Sequence, residues 1–406
     1  MIRKCVFVTL PNLRTFTVLV ALTATAWAGE QVIYSFPASG AEGFGPRAGV
    51  VYFSGNLYGV ASLGGGTSCN GNGCGAVFEL SPTRSGGWNY RILYAFQEGG
   101  DAQFPFGRVA FDSAGNLYGT TLGGGANGLG AIYKLAPRAG GQWTESVIYS
   151  FHGGEDGEGP YAGVTVDASG NLYGTTPDGG ANGLGVAYQL SPNADGSWTE
   201  TVLHAFGGIN DAIKPFSELV FDATGNLYGT TPGGGTSGRG TVYELSPNAG
   251  GWTETVVYSF ARGADMGTPD GPVWVDSTGN LFGVCSGAPG KKGSIFELTK
   301  NPDGTWSETK LHTFGILNKG FCPEGGVTAD SAGNLYGTTY LGGSQGFGVV
   351  YRLKHQADGT WTYSAIYSFT VFDGQTLAGV TLVNGNLFGT TYAGVHNDGE
   401  VYEITH

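Results

Sequence analysis

A five-residue string, Gly-Asn-Leu-Tyr/Phe-Gly, recurs seven times along this chain, beginning at Gly55, Gly115, Gly170, Gly225, Gly279, Gly333 and Gly385. Successive copies lie 60, 55, 55, 54, 54 and 52 residues apart. A unit of this size cannot bury its own apolar face, so copies must stack on one another, as in a solenoid or a propeller. The copies account for residues 29–406 as one domain and leave no stretch for a second.

Each unit carries four strand-like runs, shown here by the third copy. Residues 162–167 alternate apolar and polar and end in an Asp-Ala-Ser-Gly turn, and residues 171–176 follow. Residues 186–190 form the third run, and residues 198–206, opened by Trp198, form the fourth. Period-two alternation bounded by Gly, Asn, Asp and Pro marks antiparallel strands. Gly supplies 76 of 406 residues and charged residues only 13%, which suits tight turns and leaves little material for helix surfaces. We call the runs A, B, C and D in chain order. A D-type run, residues 31–36, stands alone before the first A run, and the seventh unit stops after its C run at residues 401–405. A spare D at the start and a missing D at the end make one blade, and a ring needs such a joint to remove its two open edges. The sequence therefore predicts an all-β, seven-bladed β-propeller with four antiparallel strands per blade, closed three-plus-one.

Two aromatic positions recur in the D run. Trp88, Trp143, Trp198, Trp252, Trp306 and Trp361 open it, and Tyr34, Tyr94, Tyr149, His204, Tyr258, His312 and Tyr367 fill a second slot. Residues present in nearly every blade hold blades together, so both sets, the two histidines included, read as packing positions.

Residues 1–28 have the layout of an export leader: a basic start (Arg3, Lys4, Arg14), an apolar stretch over 16–26, and Ala26-Trp27-Ala28 as a cleavage site. The apolar stretch falls short of the roughly 20 residues that span a bilayer. A chain starting at Gly29 holds 16 Lys and Arg against 32 Asp and Glu, a formal charge of −16. Such a surface repels phosphate backbones and anionic headgroups, which argues against a nucleic-acid partner. The expectation is a monomer that is secreted, periplasmic or at the cell surface, with no membrane span after cleavage. Four cysteines remain, and in an oxidising compartment they predict two disulfides: Cys69–Cys74 within one B–C loop, and Cys285–Cys322 between adjacent blades.

The complete unit is seen in Asp222-Ala-Thr-Gly-Asn-Leu-Tyr-Gly-Thr-Thr231, Val242-Tyr-Glu-Leu245 and Trp252-Thr-Glu-Thr-Val-Val-Tyr-Ser-Phe260. It resembles the GloVer (Gloeo/Verruco) tandem-repeat family, and more distantly the NHL and Kelch propellers. The resemblance implies an exported bacterial repeat protein, often surface-anchored, and brings no activity with it.

Strand order puts the D–A and B–C loops, which include every long loop, on one face, where binding usually resides. Four residues before the D–A proline stand Glu42, Asp101, Asp156, Asp211, Asp265 and Lys319, and the seventh unit, which has no such proline, offers Asp373. Two readings stand. If these acids converge on the channel mouth, they form a negative site for an amine-bearing or hydroxyl-rich ligand or for Ca²⁺, with Asp156 and Asp211 as its ligands. Alternatively they make Asx-type turns. Blade five departs most from the repeat, through Trp274, Cys285, Lys291 and Lys292, and any asymmetric site is expected there.

No cofactor motif is present. The Gly-rich B–C loops lack the Lys-Ser/Thr of a phosphate loop, and the close cysteine pair has no His beside it for zinc. A serine elbow and a metal-binding His pair are likewise missing from the sequence. The function predicted is non-catalytic binding on the long-loop face, with a carbohydrate or a cell-surface protein as partner. The alternative is a lyase or hydrolase acting on polysaccharide or a small molecule. An asymmetric pocket with shifted carboxyl groups in blades four to six would favour it.

Overall fold

The computed structural model describes residues 29–37, 40–261, 267–287, 292–315, 320–392, 394 and 398–405; the leader, Asp265, Lys291 and Lys319 lie outside them. Seven antiparallel blade sheets follow one another, each with strands in the order A-B-C-D; blade II adds a short strand, Ala102–Pro105, and Ala212–Ile213 pairs separately with Gly233–Gly234. Blade III is representative, with A at Thr165–Val166, B at Leu172–Thr176, C at Val186–Pro192 and D at Trp198–Ala205. The A strands face the axis and the D strands form the outer rim. Blade VII closes the ring as predicted: Gly29–Ser35 pairs antiparallel with Glu400–Thr405, Gly29 standing opposite Thr405.

The recurring string is explained by what each of its residues does. In blade II, Asp112 Oδ1 accepts the N–H groups of Ala114 and Asn116, and Oδ2 accepts the Asn116 amide and the Tyr118 hydroxyl. Gly115 takes the positive φ of 82° that this turn requires. Gly119 is the seat of the Tyr133 ring, whose hydroxyl would lie 2.2 Å from any Cβ placed there. Thr120 Oγ1 then donates to the Ala162 carbonyl of the next blade at 2.8 Å.

The core is distributed between blades, as one cluster shows: Tyr118 and Ile132 of blade II pack with Leu172, Val186, Tyr188 and Leu190 of blade III. The tryptophans join the same seams as predicted, edge-on to the B-strand tyrosine of the preceding blade. Trp143 meets Tyr58, Trp198 meets Tyr118 and Trp252 meets Tyr173, with centroids 5.9–6.4 Å apart.

Cys69 and Cys74 form a disulfide with Cα atoms 5.3 Å apart. The second predicted bridge is not made: neither Cys285 nor Cys322 is part of a disulfide. Cys285 is buried at the end of strand B of blade V, whereas Cys322 takes a positive φ of 54° just before Pro323 and stays partly exposed.

Candidate functional site

The acidic slot does not converge on the axis. Every described C–D pair carries a β-bulge just before the recurrent Tyr/His position, in blade II between Val147 and Tyr149 and in blade III between Val202 and His204. The bulge re-aims the next side chain toward the neighbouring blade. Tyr149 thereby donates to Asp156 Oδ1 at 2.5 Å, while Asp156 Oδ2 accepts the His152 N–H at 2.6 Å. Asp101 receives Tyr94 and the Gln97 N–H, Asp373 receives Tyr367 and the Thr370 N–H, and Glu42 receives Tyr34. Asp211 is bonded to His204 Nε2 and the Gly207 N–H. Each acid is thus held in the seam between two outer D strands. Asp156 and Asp211 occupy different seams, so they cannot share one Ca²⁺, and the channel-mouth reading is corrected. Asp265 lies outside the described residues.

Facing each slot aspartate is a D-strand glutamate of the following blade. Burial, reinforced by the facing aspartate, raises Glu145, Glu200, Glu254 and Glu30 to about 7.

The residues that do converge sit one position after the D–A proline. Pro105 Cδ packs where a Cβ on Gly75 would be 2.4 Å away, and Pro160, Pro215, Pro269 and Pro323 repeat this against Gly130, Gly185, Gly240 and Gly293. With φ fixed by the ring, the next side chain is delivered to the axis. Those side chains are Arg47, Phe106, Tyr161, Phe216, Asp270 and Glu324, with Leu377 from blade VII, and they rim a cavity of about 250 Å³.

The rim is strongly asymmetric. Phe106, Tyr161 and Phe216 make a continuous aromatic arc over blades II–IV, with centroids 4.2 and 5.3 Å apart. Arg47 is fixed at one end of the arc, 4.2 Å from the Tyr392 ring and 4.9 Å from that of Phe106, and it donates to the Tyr392 hydroxyl at 2.8 Å. Opposite stand Asp270 and Glu324 of blades V and VI. Burial raises Asp270, and burial followed by the Asp270 charge raises Glu324 to about 8. The pair therefore holds a proton at neutral pH and can donate as well as accept hydrogen bonds. Farther along the axis, Arg108, Glu218 and Trp274 line a second cavity of about 300 Å³, so the blade-five tryptophan does reach the channel. Lys292 is exposed and lines neither cavity. Lys291 lies outside the described residues.

The model of the Gloeobacter/Verrucomicrobia repeat matches this chain over residues 17–221, 66–287 and 201–402. The chain belongs to that family. A search of curated protein sequences finds no significant match for this Gloeobacter/Verrucomicrobia repeat protein. Among solved structures it is similar to two proteins provisionally named 6-phosphogluconolactonase. The one from Bacteroides fragilis NCTC 9343 has a TM-score of 0.55 at 15% identity, over 83% of this chain and 88% of that one. The one from Bacteroides uniformis ATCC 8492 has a TM-score of 0.53 at 15% identity, over 79% and 84%. Likeness at this identity concerns the propeller fold alone.

Sequence reasoning missed the rim residues of this repeat protein, although their signal was present. The same D–A proline marks, four places upstream, the recurrent acids. One place downstream the units carry a cation, three aromatics, two acids and a leucine, and variation at a fixed position in a repeat marks a site, whereas uniformity marks scaffold.

Proposed function

We propose that this repeat protein is an exported binding protein whose axial cup takes one small, hydroxyl-rich ring of the sugar class. The observation that carries this reading is the opposition of the Phe106–Tyr161–Phe216 arc to the Asp270–Glu324 pair. A flat apolar wall suits the C–H face of a sugar ring, and a carboxyl pair retaining a proton can both donate to and accept from its hydroxyls. Arg47 adds a donor held in place by two aromatic rings. A cavity of about 250 Å³ suits a single ring better than a chain. Export is supported by the leader-like residues 1–28 and by the Cys69–Cys74 disulfide.

The test is calorimetric titration of the purified protein with neutral monosaccharides, uronic acids and sugar lactones. Saturable one-site binding that weakens at least tenfold in Tyr161→Ala and Phe216→Ala supports the reading. Absence of binding across the panel, or binding that both variants retain, refutes it.

A second reading, acid–base chemistry on the bound ring, is favoured by one observation: Glu324 is raised to about 8 beside a second raised carboxyl group, Asp270. In this reading Asp270 takes a proton from a water whose oxygen bonds to the ring carbon, while Glu324 gives its proton to the oxygen that leaves that carbon. Turnover of any panel member that Glu324→Gln abolishes while leaving its binding intact would establish it.

A further inference from the structure

The seven seams between D strands are built to one plan, which makes their differences informative. Each brings together the Tyr/His of one blade, the slot residue of the following D–A loop, and the third residue of the next D strand. In two seams a tyrosine, Tyr90 or Tyr363, replaces the D-strand glutamate. Tyr34 stacks on Tyr90 at 4.0 Å, and His312 stacks on Tyr363 at 4.2 Å. In the seams of Asp101 with Glu145 and of Asp156 with Glu200, both aspartate oxygens are occupied by a tyrosine hydroxyl and backbone N–H groups.

The seam between blades III and IV differs from all of these. Here histidine replaces tyrosine while both acids are kept, and His204, Asp211 and Glu254 each offer a donor atom within 4.8 Å of the other two. His204 Nε2 lies 3.1 Å from Asp211 Oδ2. The Gly207 and Gly208 N–H groups crowd onto that same oxygen. Asp211 Oδ1 is left buried and without a hydrogen-bond partner, on a side chain only 10% exposed, and Glu254 Oε1 is buried without a partner as well. Among the described residues, Asp211 is the one slot aspartate with such an orphan oxygen. The orphan oxygen of Asp211, on a carboxylate bonded to an imidazole and clustered with a second carboxyl group, calls for a cation.

We propose that His204, Asp211 and Glu254 bind one divalent transition-metal ion of the zinc class, which stitches blade III to blade IV. One imidazole nitrogen and two carboxylate oxygens are a donor set for zinc, and three donors closing to mutual separations of roughly 3.4 Å suit its small, near-tetrahedral shell. Ca²⁺ would need six to eight oxygens, which the seam does not offer. His204 is about one-quarter exposed, so the ion can enter from solvent and keep a water as its fourth ligand.

The repeat supplies a substitution that removes the nitrogen donor with little risk to the fold. His204→Tyr restores the residue that the Asp101 and Asp156 seams carry. The purified protein, stripped with EDTA and dialysed, is titrated calorimetrically with Zn²⁺, and separately with Co²⁺ while its visible absorption is followed. We expect one Zn²⁺ per chain at micromolar affinity or better, a rise in melting temperature, and tetrahedral Co²⁺ bands. His204→Tyr should weaken Zn²⁺ binding at least tenfold and abolish the Co²⁺ bands while leaving the metal-free melting temperature within a few degrees. Asp211→Asn should weaken binding similarly. No Zn²⁺ binding by the wild type, equal binding by His204→Tyr, or a response to Ca²⁺ matching that to Zn²⁺ would each overturn the proposal.

Discussion

Replacing Glu200 by Gln should make the propeller more stable at pH 8 and leave it unchanged near pH 4. Glu200 is a D-strand residue of blade III facing Asp156 across the seam, and burial, then the Asp156 charge, raises it from 4.5 to about 7. In the unfolded chain the proton leaves near 4.5, whereas in the fold it is retained until about 7. Below 4.5 both states are protonated and the group is silent. Between the two values folding must take up a proton, so stability falls as pH rises and then levels off. At about 1.4 kcal/mol per pH unit the interval sets a ceiling of roughly 3.4 kcal/mol, and solvent screening of a half-exposed group brings this to about 1–2 kcal/mol. Glutamine stays neutral and its amide can donate to Asp156 in place of the carboxyl proton. Urea unfolding of both proteins at pH 4.2 and pH 8 measures the difference. A variant that is destabilised at pH 8, or whose effect is equal at both pH values, would show that the seam does not retain a proton.

Three further outcomes follow from the repeat itself. Gly174→Ala places a Cβ 2.3 Å from the Tyr188 hydroxyl in a fully packed seam, and it should cost about 2–3 kcal/mol in thermal or urea unfolding. Asp167→Ala removes the acceptor for Ser169, the Asn171 backbone and amide, and Tyr173, and should cost about 2 kcal/mol by the same assays. The Cys69–Cys74 bridge closes a loop with a sequence separation of only 5, so replacing both cysteines by Ser should cost about 2 kcal/mol and leave the circular dichroism spectrum unchanged.

Fold and site differed in how far they could be read from sequence, and for a physical reason. The turn aspartates, the positive-φ glycines and the D-strand tryptophans answer to constraints inside one unit or between identical neighbours, so each is written seven times or nearly so. Closure was legible because Gly29–Ser35 has the D pattern without an A, B and C before it. The acids were legible as a slot, but their destination was not. The bulge that turns Tyr149 and its counterparts toward the seam comes from packing and leaves no compositional mark. Nor did the cysteine count show that Cys322 takes a left-handed φ just before Pro323 and makes no disulfide. The cup needs seven residues, one from each unit, brought together by circular geometry, and none of them carries a motif alone.

The closing strand also sets the order of events in biogenesis. Gly29 is made 376 residues ahead of its partner Thr405. Until Thr405 has been synthesised, the opening strand has no hydrogen-bonding neighbour in its own blade, and six blades stand as an open arc with unpaired edges at both ends. Pairings across so large a sequence separation form slowly and leave such edges available to other chains. A chain carried across a membrane during synthesis would meet the same delay on the far side. A holding factor for extended chain, or a slow rate of delivery, therefore matters more to this ring than to a solenoid of equal length, which can settle repeat by repeat.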